Sequence, residues 1–333
     1  MTRMTRCARM LLTAGGVALA FGAAAQTSEM RTPKGPIEIT LGTSPGGTPD
    51  VIMRRLAKIM TEEKIIENPL VVANRTGGSW AVASNWVLGK KGDENTVYGI
   101  AQPVFTTPIT QGQKPVYNQL TPIAMFIQGD LIICAQPNSP AKTLADMVKL
   151  AKEKPRSIKL AGAQAGSTDH MVTGLVEKAG DVKLNYIPFD GGGAAQAAFL
   201  GGNVDLIVLT PDEMLPLAQS GKLRPLAILS EQRSSAPDLK DIPTAKEQGL
   251  NVIWGQAWGL AAPPETDPAI VKWWDDKIAK LVKTRAWQDF IKETYRRSDY
   301  VDSTRVKAHF EQINKEHLEV LKELGLAKPQ PSQ

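Results

Sequence analysis

Histidine and cysteine are scarce, with three and two residues among 333. His170, His309 and His317 form no H-E-x-x-H pattern and accompany no cysteine pair, so metal chemistry has little support. Cys134 lies in the apolar run Leu131-Ile132-Ile133-Cys134, where a buried structural thiol is expected in place of a reactive one. Glycine-rich stretches occur, but none carries the Lys-Ser/Thr of a P-loop, which removes the main case for nucleotide binding. No G-x-S-x-G elbow, short-period repeat or block of like charge is found. No apolar run reaches the length that would span a bilayer.

What is there fits a globular chain: 42% hydrophobic and 22% charged residues. The length of 333 residues accommodates two lobes of ordinary domain size. The first residues read as a signal peptide over 1–25. Arg3, Arg6 and Arg9 form a basic start, Met10 to Phe21 an apolar stretch, and Ala23-Ala24-Ala25 a small-residue cleavage site before Gln26. Export to the periplasm is the expectation. Cleavage removes three arginines and takes the formal charge from +5 to +2, which weakens a nucleic-acid reading.

From Ile37 to about Ser230, short apolar runs alternate with helical stretches. Strands are expected at Ile37–Leu41, Leu70–Ala73, Val97–Ala101, Ile158–Ala161, Leu184–Pro188, Leu206–Leu209 and Leu226–Leu229, with a longer β-prone stretch at Ile123–Cys134. Pro49–Glu63 reads as a helix because Ile52, Leu56, Ile59 and Met60 share one face. Further helices are expected near 80–88, 143–152, 169–179, 194–200 and 212–220. The alternation implies an α/β fold with mainly parallel sheets and helices on both faces. After Pro263-Pro264 the chain reads as helical over 269–284, 285–295 and 303–324, with Ser303 as a cap and Gly325 as a stop. Two connections, near 126–134 and 224–230, would make a hinge. The first lobe then comprises 34–128 with 230–327, the second 129–229, and 328–333 is a loose tail.

Four strand-to-helix junctions carry the chemistry. In Ser44-Pro45-Gly46-Gly47-Thr48-Pro49-Asp50, Thr48 suits an N-cap and Pro49 the first helical position, and the glycines let backbone approach a ligand. Amides at such a helix start favour an anion, while Asp50 serves equally well as a charge offsetting the helix dipole. Asn74-Arg75-Thr76-Gly77-Gly78-Ser79-Trp80 offers amides, a hydroxyl and an indole. Trp80 suits either a ligand contact or the core, and Arg75 either a ligand carboxylate or a structural pair. Gly166-Ser167-Thr168-Asp169-His170 places serine, aspartate and histidine too close together for a catalytic triad; Ser167 reads as a cap or a ligand donor. Phe189-Asp190-Gly191-Gly192-Gly193 supplies a further set of backbone donors. His309 and His317 read as solvated positions on a surface helix. All four junctions lie at the carboxyl ends of strands, where α/β sheets gather ligands.

At these junctions the sequence resembles the substrate-binding proteins of tripartite tricarboxylate transporters, the Bug receptors. The matching features run in order: Pro45-Gly46-Gly47 with Asp50, Asn74-Arg75 with Gly77-Gly78, Thr106-Thr107-Pro108, Thr121-Pro122-Ile123-Ala124, Gly166-Ser167 with Asp169-His170, and Phe189-Asp190-Gly191-Gly192-Gly193. They continue through Gly201-Gly202, Gly221-Lys222-Leu223-Arg224, Ile242-Pro243-Thr244 and Trp258-Gly259. The resemblance implies a two-lobed type II periplasmic-binding-protein fold. It implies capture of an organic acid (possible classes are di-, tri- and aromatic carboxylates) and its delivery to a two-subunit membrane permease. It implies no cofactor, no nucleic-acid partner, a monomer and no enzymatic activity. The loops at Ser44–Asp50 and Gly166–His170 would hold a carboxylate. Gly78, Ser79, Trp80, Thr106, Thr107, Phe189, Asp190 and Gly191 would line the rest, with Asp212 near the hinge. Two other readings stay open: a ligand-loaded co-receptor for a membrane sensor, and a periplasmic hydrolase using Ser167, Asp169 and His170.

Overall fold

The computed structural model describes residues 31–163, 166–189 and 191–331. The signal-peptide expectation and Asp190 fall outside the described residues. Two mixed α/β halves are built in sequence. The first contains β1 (Ile37–Leu41), α1 (Thr48–Glu62), β2 (Leu70–Asn74), α2 (Ala81–Leu88), β3 (Thr96–Ile100), α3 (Pro103–Gln111) and β4 (Thr121–Asp130). The second contains β5 (Ile132–Ala135), α4 (Leu144–Glu153), β6 (Lys159–Gly162), α5 (Thr168–Gly180), β7 (Asn185–Pro188), α6 (Gly192–Leu200), β8 (Leu206–Leu209), α7 (Pro211–Gln219) and β9 (Arg224–Ile228). The chain closes with β10 (Gly255–Ala262), α8 (Pro268–Leu281), α9 (Arg285–Glu293) and α10 (Val306–Glu323).

The sheets have matching orders, β2-β1-β3-β10-β4 and β7-β6-β8-β5-β9. In each, three neighbouring strands run parallel, and a further strand (β10 or β5) pairs antiparallel on both of its sides. Each of those two strands directly follows a passage between the halves and runs opposite to its parallel neighbours. β1 lies between β2 and β3, and β6 lies between β7 and β8. The connections leaving the central parallel strands therefore diverge to opposite faces, which opens a crevice at the strand carboxyl ends.

The apolar run 131–135 shows why the second sheet reads as nearly continuous hydrophobicity. Leu131, Ile133 and Ala135 pack on one face, and Ile132 and Cys134 on the other. With helices on both faces, neither side of the strand meets water. Burial pushes the Cys134 thiol up, with Glu213 adding to the effect. In the first half, α1 buries Ile52, Leu56, Ile59 and Met60 as its helical spacing requires.

Several elements differ from the sequence reading. The β-prone stretch 123–134 is two strands in two sheets, divided at Leu131. α3 has no counterpart in the sequence reading; Pro103 occupies its first turn, where a missing N–H costs nothing, and Pro108 lies inside it. Gly47 caps α1, so Thr48 is the first helical residue. Arg305 stands at the cap of α10, while Ser303 bonds the Asp275 carboxylate at 2.8 Å. The return passage lies at Trp254–Gly255, not near 230: Leu239, Ile242, Ala245, Leu250 and Val252 are apolar and pack into the cores of the second sheet. In the tail, Lys328 donates its amide to the Ile109 carbonyl at 2.9 Å. His317 is 8% exposed and packs on Trp254 and Phe105; burial pushes its pKa down to about 4 against the bond to the Ile313 carbonyl.

Candidate functional site

A cleft of about 810 Å³ lies where the carboxyl ends of both sheets meet. Six helices begin on it. Thr48 and Pro49 open α1, Trp80 caps α2, Gln102 and Pro103 open α3, and Ser167 to Asp169 open α5. Gly192 and Gly193 open α6, and Thr210 with Glu213 opens α7. The first N–H groups of a helix have no intrahelical acceptor, and the helix dipole adds partial positive charge at the same end. The cleft is therefore a convergence of donors suited to an anion.

Three of these loops are braced from behind. Asp50, 2% exposed, takes the Gly46 amide at 2.9 Å, Asn74 Nδ2 at 2.9 Å and Arg54 Nε at 3.0 Å. Burial alone would raise its pKa. The bonds from Arg54, Gly46 and Asn74 overcome that and hold the carboxyl below the usual range. Asn74 also donates to the Thr43 carbonyl at 2.9 Å, so the same network fixes both ends of the loop. The neighbouring loop is held by Thr107, whose hydroxyl donates to the Ser79 carbonyl at 2.6 Å. There Ser79 and Trp80 adopt φ of 51° and 77°, a left-handed pair of non-glycine residues that packing must impose. The packing is evident: Trp80 is 7% exposed, lies against Tyr98, and fills the space where a Gly42 Cβ would sit, 2.3 Å from its ring.

In the second half the brace is Tyr186. Its hydroxyl contacts Ser167 Oγ at 2.9 Å and donates to the Ala163 carbonyl, and its ring stacks on His170 with centroids 4.2 Å apart. Ser167 Oγ also accepts the His170 amide, as a helix cap does. The imidazole accepts the Gly166 amide at 3.3 Å through Nδ1, and burial lowers its pKa. The serine hydroxyl is thus bonded to a phenol and not to the imidazole, and Asp169 turns to the Ala163 amide at 2.9 Å, away from His170. The elements of a triad are adjacent without its geometry.

The halves also touch across the cleft. Thr168 Oγ1 bonds Gln102 Oε1 and accepts Gln256 Nε2 at 3.2 Å, and Gln102 Nε2 approaches Met171 Sδ at 3.0 Å. A sequence model of the tripartite tricarboxylate transporter family receptors matches residues 52–326. The chain belongs to this family. BugT of Bordetella pertussis is 27% identical over 286 residues, 84% of this chain and 86% of that protein. A TctC solute-binding protein from Polaromonas is 27% identical with a TM-score of 0.69, covering 87% of this chain and 99% of that one. A protein of R. palustris solved with adipate shares the fold at a TM-score of 0.80 and 23% identity, covering 89% of this chain and 99% of that one.

Within this Bug-type receptor, the cleft is lined by Ser44, Gly46, Gly47, Thr48, Gly78, Ser79, Trp80, Thr106, Thr107, Gly166, Ser167, Thr168, Asp169 and Gly191 among the residues singled out from sequence. Others lie elsewhere. Asp50 and His170 stand behind the loops as braces. Phe189 packs at the edge of the second core. Asp212 pairs with Arg296 at 3.2 Å, linking α7 to the segment after α9, outside the cleft lining. Arg75 pairs with Glu38 at 2.9 Å and lies over the Trp86 ring at 3.8 Å, so its charge is spent away from the cleft. Sequence reasoning missed Gln102, Thr210, Glu213, Gln256 and Trp258 in the lining, and Tyr186 behind it. Thr210 directly follows β8 and Gln102 stands two residues past the end of β3, the same kind of position that exposed the other loops. A second cavity of about 1710 Å³, between residues 229–238, the segment after α9, and α10, mixes acids and bases and gathers no comparable set of helix starts.

Proposed function

We propose that the protein is a periplasmic receptor that captures a small organic carboxylate in the cleft and delivers it to a two-subunit membrane permease. The observation that carries this reading is the meeting of six helix N-termini on one cleft with braced loops behind them. The adipate-bound fold neighbour supports a carboxylate as the ligand class. The first lobe would close on the second about the passages at Leu131 and Trp254–Gly255, removing the ligand from water and strengthening its bonds to the amides. The Arg-rich first residues would direct export and be cleaved near Gln26. Among the described residues no helix is long and apolar enough to cross a membrane. A binding role without turnover agrees with Ser167 being tied to Tyr186.

Calorimetry with mono-, di- and tricarboxylates, aromatic ones included, tests capture. Binding of one carboxylate class is expected; binding of neutral sugars or simple cations alone would defeat the reading. Delivery is tested separately, by deleting the gene and following uptake of the ligand so found. Uptake that persists unchanged would remove the transport role.

A further inference from the structure

The cleft is polarised. Among its described lining residues none is Arg, Lys or His, and the ionisable ones are Asp169 and Glu213. Both belong to the second half, in the first turns of α5 and α7. The first half presents a different balance. Its one acid at the loops, Asp50, is matched by Arg54 at 2.9 Å and withdrawn behind the loop, so among the described lining residues of the first half no unpaired acid faces the cleft. Asp169 and Glu213 form no ion pair among the described residues. Glu213 Oε2 takes the Thr210 amide at 2.9 Å and hydroxyl at 2.8 Å, which offsets the positive end of α7 and leaves the exposed carboxylate with its charge unpaired. The Glu213 charge is felt at Asp169, where it adds to burial in raising the pKa.

Resting on the carboxylate reading above, we propose that the ligand is a monocarboxylate whose far end carries a protonated nitrogen. Its carboxylate meets the helix starts of the first half, and Glu213, with Asp169 beside it, is the specificity-determining acid that faces the cation. A second free carboxylate reaching the α7 wall would find two acids and no base. An ammonium there gains what the carboxylate loses.

The test is calorimetry at pH 7.5 on the purified protein with three series of matched length: linear ω-amino carboxylates, the corresponding dicarboxylates, and simple fatty acids. Linear amines without a carboxylate serve as a fourth. At the best length the amino carboxylate is expected to bind at least about tenfold more tightly than the dicarboxylate, consistent with one charge reversal opposite an exposed carboxylate. Glu213→Gln, which keeps an acceptor for the Thr210 amide and so the α7 cap, is expected to shrink that ratio by about tenfold with little change in melting temperature. Dicarboxylates binding as tightly as amino carboxylates, or a ratio unmoved by E213Q, would overturn the proposal while leaving the carboxylate receptor intact. Amines binding without a carboxylate would sink the carboxylate reading instead. Binding by none of the four series would sink both.

Discussion

Replacing Asp50 tests whether the first binding loop is held from behind. The carboxylate is almost wholly enclosed and has three partners: the Gly46 amide, Asn74 and Arg54. Hydrogen bonds to a charged acceptor contribute about 1.5–3 kcal/mol each when buried, which applies to Gly46 and Asn74. Arg54 is half exposed, so water and salt reduce its pair to about 0.5 kcal/mol. A first-turn acid adds about 0.5 kcal/mol through the helix dipole. The bonds share one carboxylate and do not sum independently, so Asp50→Ala should cost about 3–4 kcal/mol in urea unfolding at pH 7. Asp50→Asn keeps an acceptor for Gly46 but turns a donor toward Asn74 or Arg54, and should cost about 1–2 kcal/mol. The pH dependence has a definite sign. The carboxyl is held below its ordinary 3.8, so its stabilisation is present above about pH 4 and lost as pH falls through the lower folded value. Wild type and D50A should therefore converge in acid. Ligand affinity should fall at least about tenfold in D50A, because Gly46 and Gly47 lose their fixed position. An unchanged dissociation constant in a clearly destabilised D50A protein would refute the brace; a stability loss under about 1 kcal/mol would refute the burial argument.

Asp169 should behave oppositely, since burial, opposed by the Ala163 amide and aided by Glu213, pushes its pKa up to about 6. Relative stability is then full below about pH 4 and falls by about 3 kcal/mol as pH rises through 6; Asp169→Asn should abolish that slope in urea titrations, and an unaltered slope would place the acid elsewhere. Gly42→Ala puts a methyl 2.3 Å from the Trp80 ring, so it should destabilise by about 1–3 kcal/mol and shift tryptophan fluorescence; neutral behaviour would mean that Trp80 is free to move. Thr168→Val removes the hydroxyl that Gln102 and Gln256 share, about 1 kcal/mol per bond, and should enlarge the ligand-free protein in small-angle scattering; an identical radius of gyration would show that these bonds do not hold the halves together.

The fold was legible wherever a periodicity stood alone. β8 is read from Leu206–Leu209 without error, because a short apolar run between turns leaves few alternatives. α3 was hidden because Pro103 satisfies a rule that depends on position within a helix, and position is unknown until the helix is found. The late return of the chain at Trp254 was hidden for another reason. Leu239, Ile242 and Leu250 are isolated apolar residues in irregular backbone, and no period announces which sheet will receive them. The loops of the cleft were visible through their glycines and caps. Gln102, Glu213 and Gln256 were not, since a single polar residue at a strand or helix end has the same local signature whether it faces solvent or a cleft. His317 misled in the same way: the polar pattern of α10 hides a contact with Trp254 that only tertiary packing creates.

The two halves differ in what survives when they part. Every brace of the first half is internal: Asp50 with Gly46 and Asn74, and Thr107 with Ser79. That surface stays formed in an open receptor, ready for a ligand. In the second half Tyr186 also braces its loop internally, but the side chain of Thr168 is tied to Gln102 and Gln256 of the other half. Opening breaks those bonds and frees a hydroxyl and two amides at the lip of the cleft. A ligand seated on the first half would then meet polar groups that have no other partner in the open state. Closure would replace hydration by fixed protein contacts on both sides at once, and the energy available for it is the difference in those contacts between the two states. On the proposed closure, the bonds remade at Thr168 would govern how long a ligand stays. An alteration at Thr168 should then act on dissociation, whereas one at Asp50 should act on both steps, because it would disorganise a surface that the ligand must use on entry as well as exit.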